Sequence, residues 1–189
     1  MKWFLVVVSC LALAGCGHSP PTQFYVLSPV PTKQTAAARD VPHVIVSNVN
    51  VPASLDRRSV VLRTNADQIE VSEQARWAAP LDGMIRRVLA ADLAQRIGRD
   101  KVVAPGDPVP AGPSRAVALN LQDFVGTRQG EVTLDGDWSL LDDKQRVLQT
   151  RHVHLTRQVE ANNIGAIAAA LSDMLGTVSD QIAAALSAR

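Results

Sequence analysis

The spacing of hydrophobic residues divides this 189-residue chain into segments of three kinds. Residues 3–14 form an almost unbroken apolar run. Three later segments alternate apolar and polar residues, which is typical of β-strands with one solvated face. They are residues 115–125, 131–141 and 147–159, joined by connections of hairpin length. Apolar residues recur every three or four positions over 81–97 and 164–186, as in amphipathic helices. The pattern predicts a single α+β domain, a mainly antiparallel β-sheet packed by two amphipathic helices.

Shorter elements precede and separate these segments. Strands are predicted at residues 23–28, 42–52, 59–64, 68–71 and 101–103, and residues 33–40 are predicted to form a loop. The third and fourth of these strands should form a hairpin around residues 65–67. We expect residues 73–80 to lead into the first helix, with Pro80 in its first turn, where a missing N–H costs nothing. Asn162 and Asn163 should cap the last helix.

The N-terminal apolar run has the features of a cleaved lipoprotein signal. Lys2 precedes it, its length fits a signal peptide, and it ends in Leu13-Ala14-Gly15-Cys16. This ending resembles the bacterial lipobox, in which cleavage falls before the cysteine, the thiol receives diacylglycerol and the new amine is acylated. A transmembrane anchor needs about 20 apolar residues, and this run is shorter. We therefore predict a signal peptide at 1–15, a lipidated tether at 16–22 and a periplasmic domain at 23–189.

Composition narrows the possibilities further. Cleavage removes 15 of the 189 residues and leaves 174, enough for one domain with a sizeable core. Cys10 leaves with the signal peptide, so we expect no disulfide and only one remaining cysteine, Cys16, with N-acyl and S-diacylglycerol lipid. The net charge of +1 falls to zero with the loss of Lys2. The sequence has no clustered basic face, so we expect no nucleic-acid partner. We also expect no cofactor.

Residues able to support chemistry give only weak candidates. His152 and His154 lie two apart on a predicted strand and should point to one face, but no third ligand stands at useful spacing, and a zinc site needs three or four. Asp135 and Asp137 share the polar face of another strand, where solvated charge is the usual state. The chain has no Gly-x-Ser-x-Gly motif and no glycine-rich phosphate loop. We therefore predict that the protein is not an enzyme and has no catalytic histidine cluster in a cleft.

The pair Arg76-Trp77 precedes the first helix and allows two interpretations. Trp77 could pack beneath the helix start as a hydrophobic staple. It could instead be an exposed anchor for a partner, because Trp and Arg are frequent at the energetic centres of interfaces. The residues alone favour the staple and leave the partner anchor open.

Several motifs in order along the chain resemble those of the ABC-type transport auxiliary lipoproteins, also called the PqiC or YmbA family. Besides Cys16, they are Phe24-Tyr25-Val26-Leu27, Val49-Asn50-Val51-Pro52 with Leu55-Asp56-Arg57, Val61 to Arg63, Arg76-Trp77-Ala78-Ala79-Pro80-Leu81, and Gly130 to Leu134 with Trp138. Ala79 stands where the family often has an acidic residue, and Ser54 where it often has an aromatic one. The residues that the resemblance implies for partner docking or for structure are Tyr25, Arg76, Trp77, Pro80 and Leu81.

The resemblance implies a non-catalytic outer-membrane lipoprotein that faces the periplasm, serves an MCE-type intermembrane lipid transport system and helps to keep the envelope intact. The implied partners are an MCE-domain protein and its inner-membrane permease complex, and a homo-oligomer would suit docking to a tube. Gly17 supports the outer membrane, because Asp after the cysteine retains lipoproteins in the inner membrane in enterobacteria-like sorting. The predicted core uses the apolar residues, so we expect protein docking and no lipid cavity between helices and sheet. The alternative is a structural assembly lipoprotein of another envelope machine, such as lipopolysaccharide insertion or secretion.

Overall fold

The computed structural model describes residues 21–32 and 41–188. Cys16, the predicted signal peptide and the predicted loop at 33–40 lie outside the described residues. The strands are β1 (Gln23–Tyr25), β2 (His43–Asn50), β3 (Ser59–Asn65), β4 (Gln68–Trp77), β5 (Val102–Val103), β6 (Ser114–Thr127), β7 (Glu131–Leu141) and β8 (Val147–Gln158). The helices are α1 (Leu81–Ile97) and α2 (Ile164–Ser187), with a 3₁₀ turn at Arg99–Lys101.

Strand β6 connects the two parts of the sheet. One of its edges pairs antiparallel with β7, and β8 continues this predicted meander. Its other edge pairs parallel with β2 and then, near its end, with β3. Strand β4 forms a hairpin with β3 and pairs parallel with β1 on its other side, and β2 pairs parallel with β5 on its other side. The α+β class is confirmed. The longest ladders are antiparallel, but the sheet is mixed, because strands such as β2 and β6 are joined by a long crossover that contains α1.

The two helices bury the faces that their periodicity predicts. Helix α1 packs against α2 and β2, and α2 packs against β7 and β6. The fully buried helix residues include Leu81, Ile85, Leu89 and Leu93 of α1 and Ile167, Leu171, Leu175 and Ile182 of α2. On β7, every second residue is buried, and the indole of Trp138 donates from Nε1 to Gln181 Oε1 of α2 over 3.1 Å. Asn163 is the N-cap of α2, as predicted, and accepts the N–H of Ala166 at 2.9 Å.

The structure differs from the sequence prediction around the first helix. Residues 73–77 continue β4 and do not lead into a helix, and Pro80 is the residue before α1 and not in its first turn. Strand β4 is long because it has a partner on each side, β3 and the distant β1. The predicted strand at 23–28 ends at Tyr25, because the chain then leaves β4 and crosses the helices.

Candidate docking site

The five residues singled out by the sequence meet where β1, β4 and the start of α1 converge. Strand β1 runs parallel to the end of β4, with Phe24 opposite Arg76 and Tyr25 opposite Trp77. The N–H of Ala78 donates to the carbonyl of Tyr25 over 2.9 Å, which continues the pairing one residue past the end of β4. The N-terminal strand is thus fixed to the segment that leads into α1.

Side-chain alternation divides this cluster between the core and solvent. Trp77 is 5% exposed and Leu81 is 1% exposed, whereas Arg76 and Pro80 are exposed. Tyr25 is half-buried, and its hydroxyl donates to Gln23 Oε1 over 2.6 Å. A buried indole is what the structural interpretation of Trp77 requires. Arg76 is the charged member of the cluster that a partner could reach.

Beyond β1 the chain crosses both helices. Leu27 is buried, and the N–H of Ser28 donates to Ser172 Oγ of α2 over 3.1 Å. The N–H of Val30 donates to Asp92 Oδ1 of α1 over 2.8 Å. Since these bonds join one short segment to α1 and to α2, the chain just after the predicted tether is fastened to the helical layer.

Asp92 belongs to a buried charged group that sequence reasoning missed. Arg96 is 4% exposed and donates from Nε to Asp180 Oδ1 over 2.6 Å and from Nη2 to the carbonyl of Gly176 over 3.0 Å. Asp92 is fully buried, and its Oδ1 lies 3.7 Å from Arg96 Nη1. Burial raises the pKa of Asp92 to about 6, although the Val30 N–H and the charge of Arg96 act in the opposite direction. In the sequence, the only sign of this buried charged group is that Asp92 and Arg96 stand four positions apart on the apolar face of the predicted helix.

The interior beside Trp77 is nearly full. A void of about 10 Å³ lies among core residues that include Trp77, Leu81 and Phe124, which is about the minimum for one water molecule. The larger spaces are at the surface. Two grooves of about 410 Å³ each flank the N-terminal segment, and one of about 910 Å³ lies on the outer side of α1 near Arg87 and Arg99. The void beside Trp77 therefore has no room for an acyl chain.

The two histidines do have acidic neighbours, contrary to the expectation from spacing. His154 Nδ1 lies 2.6 Å from Asp135 Oδ2, and His152 Nδ1 lies 3.3 Å from Asp137 Oδ1. These pairs form across the β7–β8 ladder, so spacing within one strand could not reveal them. The side chain of His152 is 59% exposed and that of His154 is 56% exposed, so the four side chains lie on an open sheet face and not in a cleft. Within residues 21–32 and 41–188, no group of three or more His, Cys, Asp or Glu residues is placed to hold a metal ion.

The site thus lies in an α+β domain in which two helices pack on a mixed sheet and an N-terminal segment is bonded to both helices. The chain belongs to the family of ABC-type transport auxiliary lipoprotein components, whose family model matches residues 25–183. Among its relatives is the intermembrane transport lipoprotein PqiC of Escherichia coli (strain K12), which is 31% identical over 146 residues and 74% of each chain. The PqiC protein of Shigella flexneri matches to the same extent. The protein is thus a transport auxiliary lipoprotein.

Solved structures share the fold. The crystal structure of an uncharacterized protein covers 88% of this chain and 99% of its own, with a TM-score of 0.71 and 21% identity. A protein from Xanthomonas campestris covers 85% of this chain and 92% of its own, with a TM-score of 0.67 and 19% identity. In the part of the chain that the structure describes, neither helix combines the length and apolar character needed to cross a bilayer.

Proposed function

We propose that the protein is an outer-membrane lipoprotein component of an MCE-type intermembrane phospholipid transport system, in which it has a non-catalytic docking role. Its partners are an MCE-domain protein and the associated inner-membrane permease complex. The observation that supports this most strongly is the 31% identity to intermembrane transport lipoproteins over 146 residues. Gly17 after the lipidated cysteine favours the outer membrane.

The geometry suits a docking module held close to a membrane. Gln23, the first residue of β1, stands seven positions after Cys16, so β1 lies within about 25 Å of the attached lipid. The N-terminal segment is bonded to Ser172 and Asp92 on the two helices. The lipid on Cys16 therefore holds the rigid domain through a short chain, and multiple acyl chains make such an anchor stable.

Docking also suits the distribution of space in the domain. The void beside Trp77 is too small for lipid, and the grooves described above are open to solvent. Arg76 faces solvent beside the N-terminal strand, and it is the residue that we assign to the partner contact. Trp77 and Leu81 support it from the core.

Membrane fractionation tests the anchor. Replacing Cys16 by Ala should move the protein from the outer-membrane fraction of a density gradient to the soluble or inner-membrane fraction, because neither diacylglycerol nor the N-acyl chain can be attached. Cys10→Ala is the matched control, since Cys10 lies within the predicted signal peptide, and it should leave the protein in the outer membrane. Continued outer-membrane association of the Cys16→Ala variant would refute the anchor.

A further inference from the structure

The N-terminal segment exposes two large hydrophobic side chains next to the predicted tether. Phe24 is 66% exposed and Val26 is 57% exposed, whereas Leu27 is buried and Tyr25 is half-buried. The alternation shows that the exposed pair shares one side of an extended chain, while the other side packs on the domain. These residues are therefore presented outward by a segment whose position is fixed.

Apolar grooves border this segment on both sides. One lies between the segment and α2 and is lined by Phe24, Val26 and small residues that include Gly165 and Ala168. The other lies between the segment and α1 and is lined by Val26, Ala79, Val88 and Ala91, among others. We call residues 24–30 with these two grooves the N-terminal ridge. The ridge is a mainly apolar surface, with Asp173 of α2 at the edge of the first groove, and exposed apolar surfaces commonly mark interaction sites.

Two arginines border the N-terminal ridge. Arg76 is exposed and stands opposite Phe24 in the parallel β1–β4 pairing. Arg87 is exposed and lines the groove between the ridge and α1. Guanidinium groups bind phosphate with paired hydrogen bonds. An apolar surface edged by arginines has the chemistry of the boundary between phospholipid headgroups and acyl chains.

The position of the ridge favours a membrane over a protein as its occupant. Phe24 stands eight positions after Cys16, so the aromatic ring lies within about 30 Å of the lipid attachment point even when the tether is extended. The tether thus keeps the ridge close to the bilayer that holds the lipid.

We propose that the N-terminal ridge is a membrane-contact surface: Phe24 and Val26 enter the interface of the leaflet that holds the Cys16 lipid, and Arg87 binds the phosphates of anionic phospholipids, while Arg76 at the edge of the ridge stays free for the partner. This inference rests on the lipidation of Cys16 under the proposed function. It adds a second contact to the lipid anchor. The domain would then lie on the membrane in one orientation and would not swing freely on its tether.

Site-specific fluorescence in vesicles tests this orientation. The mature lipoprotein is expected to have no free thiol, so Val26→Cys provides a single labelling site, and Val147→Cys is a matched control at an equally exposed valine on β8. Labelled lipoprotein is reconstituted into vesicles of phosphatidylethanolamine and phosphatidylglycerol. Quenching is then measured with nitroxide-labelled lipid and with aqueous iodide. Mass spectrometry of the acylated N-terminus verifies the anchor separately, so a failure of lipidation is distinguished from a failure of the ridge to bind.

We expect the label at position 26 to be quenched by the nitroxide lipid and protected from iodide, and the label at position 147 to show the reverse. Phe24→Ser should lower the ratio of membrane-bound to water-exposed label at position 26 by about tenfold, the effect of losing one large apolar contact. Arg87→Glu should lower it most strongly in vesicles rich in phosphatidylglycerol. Arg151→Glu, a change of an exposed arginine on β8, should not.

Three results would overturn the proposal. Equal access of iodide to both labels would show that the ridge remains in water. Protection of position 26 from both quenchers that increases with protein density would indicate a second copy of the chain as the occupant. Protection that requires addition of the MCE-domain protein would assign the ridge to that partner.

Discussion

Replacing Asp92 by Asn should remove a pH dependence from the stability of the fold. Asp92 is fully buried between the N-terminal segment and Arg96, and burial raises the pKa of its carboxyl to about 6 from an ordinary 3.8. Its neighbours are the N–H of Val30 and the side chains of Arg96 and Asp180. The amide of Asn can still accept the hydrogen bond from Val30 but has no charge to bury.

The direction and size of the change in unfolding free energy follow from proton linkage. Because the pKa of Asp92 is higher in the folded state, the folded protein binds more protons than the unfolded chain between about pH 4 and pH 6. This carboxyl therefore makes the free energy of unfolding fall as the pH rises through that window. A pKa raised from 3.8 to about 6 corresponds to about 3 kcal/mol. Relative to the wild type, Asp92→Asn should gain up to about 3 kcal/mol in stability between pH 4 and pH 8.

The assay is urea unfolding of the detergent-solubilised lipoprotein at a series of pH values, followed by circular dichroism. Comparing the variant with the wild type cancels the contributions of the other titrating groups. Asp173→Asn, which changes a half-exposed carboxyl on α2, is the control and should show a much smaller effect of pH on the difference. A stability difference between Asp92→Asn and wild type that stays constant from pH 4 to pH 8 would refute the reasoning.

Three further changes test the packing of the domain. Trp77→Ala should cost about 3–5 kcal/mol of unfolding free energy, because the ring is 5% exposed; a variant that keeps wild-type stability but loses partner binding would instead support the partner-anchor interpretation. Asn163→Ala should cost about 1 kcal/mol by removing the N-cap bond to Ala166, and an unchanged urea midpoint would count against that bond. Gly136→Ala should cost about 1–3 kcal/mol, since its Cβ would lie 2.6 Å from the carbonyl oxygen of Asn120; an unchanged melting temperature would contradict this close approach.

Hydrophobic periodicity was sufficient to predict the meander, both helices and the α+β class. It failed where distant segments decide the local structure. Residues 73–77 are part of a strand and do not lead into the helix, because residues 75–77 pair with Gln23–Tyr25, about fifty positions earlier in the chain. A register shift between Leu121 and Asp123 changes which side chains face inward, and the neighbours Phe124 and Val125 are both buried, where strict alternation would bury only one of the two.

The candidate site shows the same limit. Arg76 and Trp77 could be found from their place before a helix and from the family resemblance. The burial of Asp92 could not be predicted, because it depends on the Val30 N–H and on Arg96, which reach the carboxyl only in the folded chain. Electrostatic partners brought together by the fold have no fixed spacing in the sequence.

The most direct test of the proposed function is affinity purification of the lipidated protein from detergent-solubilised envelopes, with mass spectrometry of the bound proteins. We expect an MCE-domain protein and its permease to be recovered with the wild type, less of both with Arg76→Glu, and undiminished amounts with the control Arg151→Glu. Recovery of a lipopolysaccharide-insertion or secretion complex without any MCE-domain protein would contradict the proposed function.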